Sequence, residues 1–161
     1  AMRLIRSRAD EFCVDPNMLG VLGFSAGANL AGRVSNMPTP NEVYQPQDAV
    51  DSFDHYPNYS FIIYPAYFYE DGYKLNPEIK ITDKTPPAFI MQAEDDKSFV
   101  DSSLAYFVGM KNANRPAELH IFPRGGHGYG IFMNGNPTQE WPALAMNWFN
   151  REIMKGKPII C

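Results

Sequence analysis

Strands alternating with helices along 161 residues predict an α/β fold, with a mostly parallel sheet of about four strands flanked by helices. Three observations carry that prediction. Short apolar runs bounded by turn residues recur at Met18 to Phe24, Tyr59 to Tyr64, Ala88 to Gln92 and Glu118 to Phe122. Longer stretches with apolar residues at helical spacing lie between and after them. The composition is 45% hydrophobic, 14% aromatic and 20% charged, which supplies one buried core over residues 1–161 and excludes a disordered or fibrous chain.

Each element has its own signature. Met2 to Phe12 sets Leu4, Ile5, Ala9 and Phe12 against Arg3, Arg6, Arg8, Asp10 and Glu11, the pattern of an amphipathic helix rather than of a signal peptide. A cytoplasmic location and secretion with a removed leader both stay open. Asp15-Pro16-Asn17 is a turn, and MLGVLGF (18–24) is a short buried strand. Ser25 to Ser35, rich in alanine, reads as a helix. Four prolines between Asn36 and Asn58 predict a long surface loop, with a helical turn around Asp48 to Phe53. YSFIIY (59–64) is the next strand, and an aromatic loop follows from Pro65 to Tyr73. Pro86-Pro87 introduces the third strand. Val100 to Asn112 repeats Leu104, Phe107, Val108 and Met110 as a helix does, and ELHIF (118–122) is the fourth strand. Glu140 to Met154 closes the chain with Trp141, Leu144, Ala145, Trp148, Phe149 and Ile153 on one stripe.

Charge and cysteine usage narrow the function. The net charge of −4 and the absence of a basic block argue against nucleic acid as a partner. The longest apolar run, Phe61 to Phe68, is broken by Pro65 and is far too short to cross a membrane. Cys13 and Cys161 stand at opposite ends without metal-ligand spacing, and Cys13 reads as a packing residue; acyl transfer of the kind the strand ends support needs no metal or organic cofactor.

Three strand ends carry residues suited to acyl transfer. Gly23-Phe24-Ser25-Ala26-Gly27 is a G-x-S-x-G between a strand and a helix. A serine nucleophile must be held exposed on a strained turn, and flanking glycines remove side chains that would clash there. The same turn aims the backbone N–H of Ala26, at the helix start, toward a developing oxyanion. A second strand ends in Ala93-Glu94-Asp95-Asp96, a place where a carboxylate can orient a histidine; a solvated acidic turn is the structural alternative. The fourth strand is followed by Gly125-Gly126-His127-Gly128, a histidine on an adaptable loop suited to a general base. The order Ser25, Asp96, His127, each just past a strand, is the order of an α/β-hydrolase triad. His55 in the irregular loop and His120 inside a strand read as structural. Phe24, Tyr67, Tyr129 and Phe132 are candidates for the walls of a substrate pocket, although aromatics in such places also simply cover a core.

The nucleophile region, IRSRADEFCVDPNMLGVLGFSAGANLAGRVS, resembles that of α/β-hydrolase esterases of the acetyl-xylan and feruloyl esterase type, distant relatives of the dienelactone hydrolases and prolyl oligopeptidases. The resemblance continues through QDAVDSFDHYPNYSFIIYPAY and TPPAFIMQAEDDKSFVDSSLAYFVGMKNANRPAELHIFPRGGHGYG into the final helix. It implies Ser25 as nucleophile, His127 as base and Asp96 as acid, with Asp95 as the less favoured substitute. It also implies a small ester as substrate, of acetylated or feruloylated carbohydrate among others. Members of that family begin with further strands and an HGG-type loop that supplies a second oxyanion-hole N–H, and no His-Gly-Gly precedes Ser25. The nucleophile strand is therefore expected at a sheet edge, and edge exposure predicts a homo-oligomer. Two functions stay in play: a serine carboxylesterase, and a weakly active or inert fragment of the fold that mainly self-associates; a peptidase of the prolyl oligopeptidase type is the less favoured third, because nothing here resembles its substrate-gating domain.

Overall fold

The computed structural model describes residues 1–38, 44–71 and 73–156. Residues 39–43 of the expected surface loop, and Cys161, lie outside the described residues. Four strands, β1 (Gly20–Phe24), β2 (Tyr59–Ile63), β5 (Ala88–Ala93) and β6 (Ala117–Phe122), form one sheet in the order β1-β2-β5-β6, and every neighbouring pair is parallel. The expected fold class is the one observed.

Residue alternation along the strands divides the core in two. Ile62 and Ile90 point to one face, where they meet Ala28 and Ala31 of α3 (Ala26–Ser35) and Tyr106 and Met110 of α4 (Val100–Asn112). Their sequence neighbours Ile63, Phe89 and Met91 point to the other face and meet Trp141, Ala145 and Trp148 of α5 (Trp141–Trp148). All six residues of β5 are buried, as expected of a strand covered by helices on both faces. A side chain at Gly32 of α3 would collide with Phe68, so this glycine sets how closely the helix approaches that ring.

Three expectations are corrected. The amino-terminal helix is two pieces, α1 (Met2–Ser7) and α2 (Ala9–Phe12), divided at Arg8, whose backbone leaves the helical region at φ −122°, ψ 30°. Arg6 accounts for the pose of α1. Its guanidinium donates to the carbonyls of Pro16, Asp54 and Tyr56 and to Asn58 Oδ1, so α1 is set by the segment leading into β2. Cys13 is exposed rather than packed, because it caps α2 in the left-handed conformation. The aromatic loop contains a two-strand ladder, β3 (Tyr69–Glu70) with β4 (Lys74–Leu75), too short to show an alternating pattern in sequence.

The final helix also changes its winding. A 3₁₀ turn (Pro137–Glu140) leads into α5, which continues as a π-helical turn over Phe149–Met154. That wider turn lets two consecutive aromatics meet the sheet: Trp148 lies edge-on to Phe61 at 5.4 Å, and Phe149 edge-on to Tyr59 at 5.0 Å. At the opposite side of the sheet, β1 has β2 as its one partner among the described residues. Leu22, at its middle, is 50% exposed.

Candidate active site

The site is built at the carboxyl ends of β1, β5 and β6, where open α/β sheets place ligands. Ser25 follows β1 and caps α3. Its backbone sits at φ +54°, ψ −119°, a conformation that residues with side chains rarely adopt, and its N–H donates to Ile63 O at 3.1 Å. Gly23 makes this turn possible, since a Cβ there would lie 2.1 Å from the carbonyl oxygen of Gly27. Gly27 differs from the sequence expectation. A Cβ at that position would meet nothing within 4 Å, so only the first glycine of the motif answers a steric demand of the described chain. Ala26 opens α3, which makes its N–H one of the first-turn donors without an intrahelical partner.

His127 brings its Nε2 to 2.7 Å from Ser25 Oγ, and its Nδ1 to 2.6 Å from Asp96 Oδ2. A carboxylate accepts only, so Nδ1 carries the ring proton and Nε2 is left to accept from the serine hydroxyl. Asp96 is 5% exposed and stands in the tight turn between β5 and α4, where its carbonyl accepts from the N–H groups of Phe99 and Val100. The serine–histidine pair faces solvent. The G-x-S-x-G motif, the strand ends, the chain order and the family resemblance together point to Ser25, Asp96 and His127, which the fold brings together across up to 102 positions.

The neighbouring Asp95 takes a different partner. Its two carboxylate oxygens accept the N–H groups of Gly125 at 3.2 Å and Gly126 at 2.8 Å. Those bonds, with that from Gly126 foremost, hold its pKa below the usual carboxylate value. Beyond His127, the loop is tied again at Gly130, whose N–H donates to Tyr64 Oη at 3.2 Å and whose carbonyl accepts from Trp141 Nε1 at 2.7 Å.

The aromatic candidates separate. Tyr67 is 62% exposed and edge-on to Phe99 at 5.3 Å. Phe99 also lies 4.9 Å from the His127 ring, and Tyr64 lies 5.1 Å from it on an edge-to-face contact. Phe24 is packed between Tyr64 and Trp141, with centroids at 5.6 and 5.8 Å. Tyr129 departs from the expected pocket wall: it is buried in the α5-side core, 4.4 Å from Tyr64, and burial pushes its phenol pKa well up. Gly128 and Gly130, at φ +77° and +53°, turn the chain inward on either side of it. Phe132 stays at the surface with Ile131 and Met133. Sequence reasoning missed Phe99, which stands three residues past Asp96 in the same turn as the acid. Asn29 of α3 was missed as well; its Nδ2 donates to Ala66 O at 2.9 Å, fastening the aromatic loop to the helix that Ser25 caps.

His55 and His120 stay apart from the site. His120 faces Glu118 at 2.8 Å, and burial lowers the pKa of His55. A cavity of about 650 Å³, lined in part by Arg3, His55, Tyr56, Lys84 and Arg115, lies beside Asn58 and Pro87, which precede β2 and β5. It therefore sits at the end of the sheet opposite Ser25. Among the described residues, no group of three or more His, Cys, Asp or Glu side chains could hold a metal ion, and no helix is long and apolar enough to cross a membrane.

A parallel α/β sheet with a serine on a strand–helix elbow, hydrogen-bonded to a histidine and through it to an aspartate, defines the architecture as that of the α/β-hydrolases. The chain belongs to the prolyl oligopeptidase family, whose model matches residues 2–156. It is 30% identical over 155 residues to an acetylxylan esterase of Xylanibacter ruminicola, covering 80% of this chain and 29% of that protein. It is 28% identical over 154 residues to endo-1,4-beta-xylanase B of Butyrivibrio fibrisolvens, covering 81% of this chain and 24% of that one. The chain thus spans less than a third of the curated relatives it matches. Among solved structures it superposes on an acetyl ester-xyloside bifunctional hydrolase from Caldicellulosiruptor lactoaceticus with a TM-score of 0.81 at 30% identity, covering 93% of this chain and 62% of that one.

Proposed function

We propose that the chain carries the catalytic centre of a serine carboxylesterase acting on small acyl esters, with acetylated or feruloylated carbohydrate as the substrate class. The observation that carries this reading is the unbroken hydrogen-bond chain from Ser25 through His127 to the buried Asp96. Similarity to an acetylxylan esterase supports the substrate class. In this mechanism His127 takes the proton of Ser25 as Ser25 attacks the ester carbonyl, and the N–H of Ala26 donates to the oxyanion. Asp96 steadies the imidazolium. His127 then protonates the leaving alcohol, and water, activated by the same imidazole, releases the acid from the acyl-enzyme. Phe99 and Tyr64 lie against the His127 ring, the exposed Tyr67 extends the Phe99 side as an aromatic wall, and Phe24 and Tyr129 act from behind by packing.

The test compares hydrolysis of p-nitrophenyl acetate and butyrate by the wild type and by Ser25→Ala. Turnover by the wild type that vanishes in the variant supports the esterase. Equal background rates support a second reading, in which the chain is catalytically weak or inert and mainly self-associates. Among the described residues, the unpaired outer side of β1 and the half-exposed Leu22 favour that alternative.

A further inference from the structure

Asp95 is the acidic residue that the Ser25–His127–Asp96 chain leaves unused, and its contacts give it a role. Its carboxylate lies across the start of the histidine loop and accepts from two successive backbone N–H groups, those of Gly125 and Gly126. Gly126 is in the left-handed conformation at φ +64°, and Gly128 on the far side of His127 at +77°. A loop with glycine on both sides of its working residue has little stiffness of its own, so beyond the bonds and ring contacts of the imidazole itself, the backbone position of His127 depends on what grips the flanks. Two grips exist. On the far flank, Gly130 is tied to Tyr64 and Trp141. On the near flank, Gly125 packs so closely on the buried Thr138 that a Cβ would lie 2.3 Å from its Cγ2. That contact resists movement toward Thr138 but provides no restoring force in other directions. Asp95 supplies the directional restraint.

We infer that Asp95 is a positioning residue that holds the His127 loop in register with Ser25 and Asp96. Adjacent aspartates at the end of β5 thereby divide the work: Asp96 bonds the imidazole itself, and Asp95 bonds the backbone that carries it. Both carboxylates follow directly on β5, the most buried strand of the sheet. The arrangement also explains the choice of side chain at position 95. An asparagine presents one acceptor oxygen, and its NH₂ group would face the second N–H, so the isosteric change removes one bond and sets two donors against each other. Charge matters too, since bonds to an ionised acceptor are shorter and stronger than neutral ones.

The inference rests on the esterase reading for its kinetic readout and is independent of it for its spectroscopic one. The experiment measures three quantities on wild type, Asp95→Asn and Asp95→Ala: kcat and KM on p-nitrophenyl acetate, the downfield proton resonance of His127 Nδ1–H bonded to Asp96, and the thermal midpoint. Expected in both variants is a fall in kcat of about 10- to 100-fold, the scale of a misplaced catalytic group. KM stays within about twofold, because Asp95 touches no substrate. The downfield resonance is broadened or lost while the protein remains cooperatively folded. Wild-type kcat together with an unchanged resonance in Asp95→Asn overturns the inference. Should the variants unfold, Asp95→Glu, which keeps two carboxylate oxygens on a longer stem, is expected to recover both the fold and the resonance; a folded glutamate variant lacking the resonance also overturns it. If the wild type shows the resonance but no Ser25-dependent turnover, the esterase reading fails while the positioning role of Asp95 is still decided by the spectra.

Discussion

Ser25 occupies backbone space that costs on the order of 1–3 kcal/mol for a residue with a side chain, and neighbouring residues maintain it there. Gly23 is the most demanding of them, which leads to a contrast within one motif. Gly23→Ala drives a methyl against the carbonyl of Gly27 and should destabilise the protein by about 1–3 kcal/mol, read as a lower urea midpoint. Gly27→Ala enters open space in a helix and should be neutral or stabilising by up to about 1 kcal/mol in the same experiment. Equal losses at both positions would show that the two glycines share a steric task. At the other end of the hydrogen-bond chain, Asp96→Asn presents His127 with an amide in place of an acceptor carboxylate. That favours the wrong ring tautomer and should lower kcat on the order of 10⁴-fold with little change in the melting temperature.

At the scale of elements, the amino-terminal helix pair is held to the rest of the chain by charge as well as by packing. Arg3 on α1 reaches Asp51 at 3.0 Å in the 3₁₀ turn Ala49–Ser52, and Tyr44 also donates to this carboxylate. The backbone N–H of Gln47, with the Tyr44 hydroxyl next, lowers the pKa of Asp51 from 3.8 to about 2. A carboxylate with a lowered folded-state pKa contributes stability that is fully present above its unfolded value. The contribution fades as pH falls toward the folded value. The difference in melting temperature between wild type and Asp51→Asn should therefore be constant above a pH of about 5, shrink below 3.8 and disappear only below about 2. A difference that persists undiminished at the acid end would assign the effect to packing. This scale also shows what could be read from the chain. The four long strands were legible because a buried parallel strand is a near-continuous apolar run, as in the FIM of β5. The break at Arg8 was not, because the contacts that fix this stretch, those of Arg6, reach carbonyls on a segment some 50 residues away. The ladder of Tyr69–Glu70 with Lys74–Leu75 was too short for any period. In the site, chain order and strand ends picked out Ser25, Asp96 and His127. They could not separate exposed from buried aromatics, because Tyr67 and Tyr129 differ in backbone turn and not in residue type.

For the whole molecule, helices pack on both faces of the sheet, and its outer strands, β1 and β6, each have one partner among the described residues. β1 is the more open of the two at its centre, where Leu22 is 50% exposed. Such an edge, with an exposed leucine at its centre, is a template for another strand. The expected result in light scattering coupled to size exclusion is a homo-oligomer, shifted toward monomer by Leu22→Lys, which places a charge on the edge. A well-behaved wild-type monomer at micromolar concentration would contradict it. Catalysis at this centre requires Ser25 to be an activated nucleophile, and a covalent probe asks this without assuming a substrate. Treated with a fluorophosphonate, the protein should gain one adduct per chain, mapped by peptide mass spectrometry to Ser25, absent in Ser25→Ala and formed far more slowly in His127→Ala. No adduct on the wild type, or labelling at Ser25 as fast without His127 as with it, would contradict the central claim.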